Sequence, residues 1–294
     1  MVTADNDYLS AQYNNRALVP DYADYFARWT IASVALREQP GCAVSLPYGR
    51  GERETLDVFA PQTPDNAGRG SARGRPVVVY IHGGYWRSLS KSEHSFVAAP
   101  FLAANACVVI PNYPLCPSTT IPAIAQTLTR ALQWVHSHIS DWGGDPSRIT
   151  LVGHSAGGHL TAMLARCDWS AVDAKLPKDL VKSALAISGL YDLAPLQQAP
   201  ILQGDLRLDA TQVLRASPVN FAAPKRGDGA PKLHCVVGGD ESDEFIRQNQ
   251  LLQQRWGAKA VPSAISIPGA NHFSILDELV KTGSPLNRLA LSLI

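Results

Sequence analysis

The chain has 294 residues, 46% of them hydrophobic, and its 26 basic and 25 acidic residues leave a net charge of +1. A chain of about 300 residues hides about 75% of its unfolded surface, so a large core is available, while the even charge balance offers neither a basic stripe for nucleic acid nor a charged tail. The five cysteines (Cys42, Cys107, Cys116, Cys167 and Cys235) are odd in number, scattered and without C-x-x-C spacing, which reads as reduced thiols rather than a disulfide frame or a zinc site.

Residues 5–39 carry aromatic and apolar side chains at helical spacings (Tyr8, Leu9, Tyr13, Tyr22, Tyr25, Phe26, Trp29, Ile31), with Pro20 between two segments. This predicts a helical N-terminal arm over 1–40 packed on the body, or an aromatic flap over a pocket. Cys42–Leu46 and Glu54–Phe59 alternate like strands around a Gly49-Arg-Gly turn. Pro61–Arg75 has loop composition and is expected to be mobile. Pro76–Ile81 is a buried strand by composition, followed by His82-Gly83-Gly84-Tyr85-Trp86. A helix over 92–104, a strand over 106–110 and an amphipathic helix over 121–139 come next. Of the cysteines, Cys116, set between prolines, alone looks exposed.

Residues 149–154 run as a strand into Gly153-His154-Ser155-Ala156-Gly157, and a helical pattern starts directly after. A serine between such a strand and helix sits on a sharp corner, its hydroxyl lifted clear of regular structure. Strands at 183–188, 231–237 and 263–268 alternate with helices, and residues 189–226 have the composition of a lid-like insertion of short helices. The alternation predicts one α/β domain over 1–294. Its sheet is mainly parallel and eight-stranded with helices on both faces, and ligands belong at the carboxyl ends of the strands.

A serine hydroxyl needs a base within hydrogen-bond reach and a third group to orient that base. Among eight histidines, His272 alone follows a strand end on a loop at the expected sheet edge. His154 and His159 flank the serine but point elsewhere from the same turn, and His94, His136 and His138 sit on helices as surface or packing residues. The acid is expected between Ser155 and His272, in Gly238-Gly239-Asp240-Glu241-Ser242-Asp243-Glu244. Three residues past the strand-ending glycine selects Glu241. Asp243 and Asp240 remain alternatives, with Asp243 and Glu244 placed to complement a helix dipole. Main-chain N–H groups of Gly83, Gly84 and Ala156 are candidate donors to an oxyanion. Tyr85 and Trp86 are candidate walls of the substrate pocket, unless Trp86 only packs the loop.

Assembled in this order, the chain resembles the α/β-hydrolase superfamily over nearly its full length. His82-Gly-Gly-Tyr-Trp86 is similar to the His-Gly-Gly-x-Trp motif of the kynurenine formamidases (arylformamidases), a branch close to carboxylesterases. Tyr13-Asn14-Asn15-Arg16 and the stretch from Glu241 to Gln248 are similar to the same family, with Glu241 where the animal enzymes carry an aspartate. The resemblance implies a catalytic set of Ser155, Glu241 and His272, an oxyanion loop at Gly83 and Gly84, and no cofactor or metal. It implies a serine hydrolase acting on an aryl formamide such as N-formyl-kynurenine. The alternatives are a carboxylesterase on short-chain esters and a non-catalytic ligand-binding protein on the same fold. A small molecule is the expected partner, not nucleic acid or a membrane, and assembly as a homodimer is compatible with the sequence. The N-terminus lacks a basic segment followed by an apolar run, so a soluble cytoplasmic protein is expected.

Overall fold

The structure is a computed structural model that describes residues 6–62, 74–224 and 229–294. The loop expected over Pro61–Arg75 lies, apart from its ends, outside the described residues, as do the first residues of the arm and the last of the lid-like segment. One eight-stranded sheet runs through the molecule, in the order β1-β2-β4-β3-β5-β6-β7-β8. The strands are β1 (Cys42–Pro47), β2 (Thr55–Phe59), β3 (Arg75–Ile81), β4 (Cys107–Pro111), β5 (Gly144–His154), β6 (Val181–Ile187), β7 (Lys232–Gly238) and β8 (Ser263–Ile267). β1 pairs antiparallel with β2, and β2 antiparallel with β4; from β4 through β3 to β8 every pairing is parallel. This is the sheet of the α/β-hydrolase fold that the resemblance implies.

The central strands are nearly continuous apolar runs because both faces are covered. Val77, Val79 and Ile81 of β3 pack in one core with the helices Ile121–His138, Ala156–Ala165 and Asp243–Trp256. Val78 and Tyr80 turn to the other core, against Trp29, Phe96, Phe101 and the C-terminal helices. This is the period-2 alternation of a strand dividing two layers. Ile121–His138 follows the expected spacing: Ile124, Leu128, Ala131, Leu132 and Val135 are all fully buried. Thr120 caps it, accepting from Ala123 N, and Pro122 sits in its first turn, where no amide hydrogen is needed.

The arm forms helices Asn6–Tyr13, Asn15–Leu18 and Tyr22–Arg37. It is anchored to the sheet through Asp57, a fully buried carboxylate on β2 that pairs with Arg37 and, at 2.9 Å, with Lys91. Trp29 stacks on Phe96 with ring centroids 5.4 Å apart. The segment after β6 forms Ala194–Gln197, Pro200–Leu206 and Ala210–Ala216, short helices with no strand among them, as the composition suggests.

Candidate active site

Because β3 and β5 to β8 run parallel, their carboxyl ends share one edge of the sheet, and the loops leaving them carry the candidate residues. Ser155 follows β5 directly, with φ 57° and ψ −120°. For a residue with a Cβ this is a strained conformation, costing roughly 1–3 kcal/mol. Neighbouring hydrogen bonds hold it: Ser155 N donates to Ile187 O at 2.8 Å, and Ser155 O accepts from His159 N at 3.0 Å. The flanking glycines are required by close approach. A Cβ on Gly157 would lie 1.9 Å from Ile81 O, and one on Gly153 would lie 2.2 Å from Gly157 O.

His272 arrives from the loop after β8. Its Nε2 is 3.1 Å from Ser155 Oγ and its Nδ1 is 2.6 Å from Glu241 Oε2. A carboxylate only accepts, so Nδ1 carries the proton toward Glu241 and Nε2 is left to accept from the serine hydroxyl. All three residues are buried. Of the three candidate acids, Glu241 reaches the histidine. Asp240 is exposed, and Asp243 is exposed at the start of Asp243–Trp256, where its charge complements the helix dipole.

Two supporting residues were not anticipated. Ser188, fully buried at the end of β6 with φ 51°, donates its hydroxyl to Glu241 Oε1 at 2.5 Å. Gly238 N donates to the same oxygen at 2.7 Å, so Oε1 is occupied and Oε2 is left for the histidine. The sequence signal was present: Ser188 ends an apolar run at the same sheet edge as Ser155. His154, set aside as pointing away from the serine, is among the residues lining the cavity and donates from Nε2 to the main-chain oxygen of His272 at 2.9 Å. Burial, and then the neighbouring His272, hold the His154 imidazole well below its ordinary pKa, so it serves as a neutral donor.

The loop after β3 faces the serine. Gly84 has φ +105°, and a Cβ there would lie 2.2 Å from Ser88 O. The Tyr113 hydroxyl donates to His82 O at 2.8 Å and stacks its ring on the His82 imidazole, fixing the loop from beneath. Gly83 and Gly84 line the same cavity as Ser155 and His272. Ala156 heads its helix, where the first main-chain N–H groups have no partner within the helix.

The cavity has a volume of about 340 Å³. Its floor is Ser155, His272, Gly83 and Gly84; its cover comes from Tyr13 to Arg16 of the arm and Ile201, Leu202 and Asp205 of the lid-like segment. The arm is therefore both packed body and pocket wall, rather than one or the other. Tyr85 lines the cavity as expected and donates its hydroxyl to Tyr13 O at 2.7 Å. Trp86 does not. Its φ of 54° turns the ring inward, where it is fully buried and meets His159 edge-on at 5.0 Å. Cys116 is also buried rather than exposed, because its N–H donates to Trp86 O and its side chain enters the same core. His94, a packing residue as expected, is buried but reaches the cavity wall.

Known proteins are similar to this chain in sequence and fold. Residues 78–275 match the family model of the alpha/beta hydrolase fold. The kynurenine formamidase of Danio rerio is 32% identical over 256 residues, covering 85% of this chain and 81% of that protein. The esterase LipQ of Mycobacterium tuberculosis is 36% identical over 157 residues, 50% of this chain and 35% of that protein. A solved Silicibacter structure, provisionally described as a thioesterase, superposes with a TM-score of 0.80 at 29% identity, covering 97% of this chain and 98% of that one. With a serine on a strained strand-to-helix turn and a matching sheet order, the chain belongs to the alpha/beta-hydrolase superfamily, as a hydrolase related to kynurenine formamidases and carboxylesterases.

Proposed function

We propose that the protein is a serine hydrolase that cleaves an aryl formamide such as N-formyl-kynurenine, with Ser155, His272 and Glu241 as its catalytic triad. The observation that carries the reading is the continuous relay from Glu241 Oε2 through His272 to Ser155 Oγ, opening into a cavity of about 340 Å³. The similarity to kynurenine formamidases along most of the chain supports the substrate class.

Ser155 Oγ attacks the formyl carbon while His272 Nε2 takes its proton. Glu241 holds the tautomer and stabilises the imidazolium without accepting the proton itself. The carbonyl oxygen becomes an oxyanion, received by main-chain N–H groups of Gly83 or Gly84 and Ala156; one such donor contributes about 3–4 kcal/mol to the transition state. The intermediate collapses as His272 protonates the departing arylamine, leaving a formyl ester on Ser155. A water then gives its proton to His272, attacks that ester and releases formate, and Ser155 regains its proton. An activated short-chain ester follows the same path, and the match with the esterase LipQ favours that second reading.

Comparing kcat/KM for N-formyl-kynurenine and p-nitrophenyl acetate separates the two. A formamide value at or above the ester value is expected, and one several orders of magnitude below it removes the narrower claim. A fluorophosphonate probe is expected to label the wild type but not Ser155→Ala. No labelling of folded wild type, or labelling that survives the substitution, removes the serine-hydrolase mechanism.

A further inference from the structure

We propose that Arg16 is a specificity-determining anion anchor, so that the preferred substrate carries a carboxylate or similar planar anion on its leaving group. This rests on the serine-hydrolase reading of the same cavity.

The cavity has two guanidinium groups, Arg16 and Arg87. Arg87 is already engaged: it pairs with Asp205 at 2.6 Å and donates to Ile201 O at 3.2 Å. Those contacts tie the oxyanion loop to the lid and cancel one charge of each sign. Arg16 is different. Among the described residues no carboxylate lies within ion-pair distance of it and no hydrogen bond leaves its side chain. Its guanidinium instead sits over two rings, 5.3 Å from the Tyr22 centroid and 5.7 Å from that of Phe26. Ring stacking restrains a long side chain without neutralising its charge, and a restrained guanidinium loses less freedom when it binds a planar anion bidentately. Asn14 lies beside it on the cavity wall. Its side-chain oxygen is used in capping the Asn15–Leu18 helix, accepting from Ala17 N, which leaves its amide hydrogens for a ligand.

The placement fixes which half of the substrate carries the anion. The floor, with Ser155 and the two glycines, takes the acyl group. Arg16 is on the arm that covers the cavity, and because a formyl or acetyl group is small, the part of the substrate that extends from Ser155 toward the arm is the leaving group. A substrate whose anion lies beyond the leaving ring spans both, and a neutral substrate forgoes the charge-assisted bonds to this exposed guanidinium.

The test uses two matched pairs: N-formyl-kynurenine with its carboxamide, and the acetate ester of 3-(4-hydroxyphenyl)propanoate with its carboxamide. The readout is the ratio of kcat/KM for the anionic over the neutral member. In the wild type this ratio is expected to exceed one and to fall between about 20 mM and about 500 mM salt. Arg16→Met is expected to lower it by about 2- to 5-fold, mainly through KM, with Arg16→Lys between the two. Equal losses on both members, as a merely structural stack predicts, or an unchanged ratio in Arg16→Met, overturn the anchor. A wild-type ratio insensitive to salt overturns it even where Arg16→Met does not fold. If the formamides are inert and the ester ratio shifts as stated, the anchor stands and the formamidase reading falls. If the formamides turn over and neither ratio depends on Arg16, the reverse holds.

Discussion

The floor and the cover of the cavity are built differently. Each proposed catalytic group of the floor leaves the end of a separate strand: Ser155 from β5, Glu241 from β7, His272 from β8, and the glycines from β3. Buried main-chain and side-chain bonds then lock it, as when Ser188 and Gly238 share Glu241 Oε1. The cover comes from two segments outside the sheet, packed into the core at their backs but joined around the cavity by part-buried side-chain contacts: Tyr13 to Glu244, Tyr85 to Tyr13 O, and Arg87 to Asp205. Rigid strand ends suit chemistry that tolerates little misplacement, whereas side-chain bonds on insertions can be exchanged without disturbing it. Changes to the floor should therefore act on kcat by orders of magnitude, and changes to the cover on KM and on the choice of substrate.

The largest expected effect sharpens this division. Glu241→Gln should lower kcat by about 10⁴, because the His272 tautomer loses its partner and the imidazolium its stabilising charge. Asp243→Asn and Asp240→Asn touch no part of the relay and should keep kcat within about a factor of three of wild type, since exposed substitutions typically change energies by less than about 0.5 kcal/mol. Steady-state kinetics on the three variants decides. A collapse in Asp243→Asn with an active Glu241→Gln would mean the relay closes through a different acid.

The same division separates what was legible in the sequence from what was not. The floor could be read because each residue has a local signature. Ser155 is bracketed by glycines between a strand run and a helix run, His272 follows a strand end, and Glu241 lies a fixed count past Gly238. Trp86 was open to misreading because nothing in its neighbours announces the positive φ at Tyr85 and Trp86, 49° and 54°, that sends the indole into the core. Ser188 looked like any polar residue ending an apolar run, since its partner is 53 residues away. The cover was least legible. The helical spacing of the arm was plain, but its role at the cavity depends on contacts such as Tyr13 with Glu244, 231 residues apart, which no local pattern encodes.

Trp86 gives the next effect in size. As a core residue, its truncation to alanine should cost about 3–5 kcal/mol of stability. Urea unfolding followed by circular dichroism measures it. An unaltered midpoint accompanied by a raised KM would return Trp86 to the substrate wall and blur the boundary between floor and cover.

A pH effect links the two regions. His159, on the helix that starts after Ser155, donates through Nε2 to the carbonyl of Ala216, the last residue of the lid-like segment's Ala210–Ala216 helix, 2.6 Å away. Burial pushes its imidazole down to about 4, against a bond to Ala216 O that raises it. Its unfolded value is about 6.5, so above that pH the imidazole is neutral in both states and costs nothing. Below it the unfolded chain binds a proton that the folded chain refuses, and stability falls until about pH 4, where the folded state is protonated as well. The slope approaches about 1.4 kcal/mol per pH unit for this one group. His159→Gln keeps a donor for Ala216 and removes the titration. Its unfolding free energy should therefore decline less steeply than that of the wild type between about pH 6 and about pH 5. Parallel curves would show that His159 does not supply the acid sensitivity.

Tyr13→Phe should have the smallest effect, and it probes the join between cover and floor. The Tyr13 hydroxyl donates to Glu244 Oε2 at 2.6 Å, and Gln248 Nε2 donates back to the hydroxyl at 3.2 Å. Burial raises the Glu244 carboxyl pKa, but the bonds from Arg247 and Tyr13 more than offset this and hold it below its ordinary value. Next to Glu244 is Phe245, whose ring lies 4.6 Å from the His272 imidazole. Losing the hydroxyl removes one of three donors to the Glu244 carboxylate, because both Arg247 contacts at 2.8 Å remain. The expected cost is about 1 kcal/mol of stability. In kinetics the arm should loosen over the cavity, raising KM by less than about tenfold with a smaller change in kcat. A fall in kcat larger than the rise in KM would show that the arm helps to place His272 through Phe245, and that the cover takes part in holding the relay.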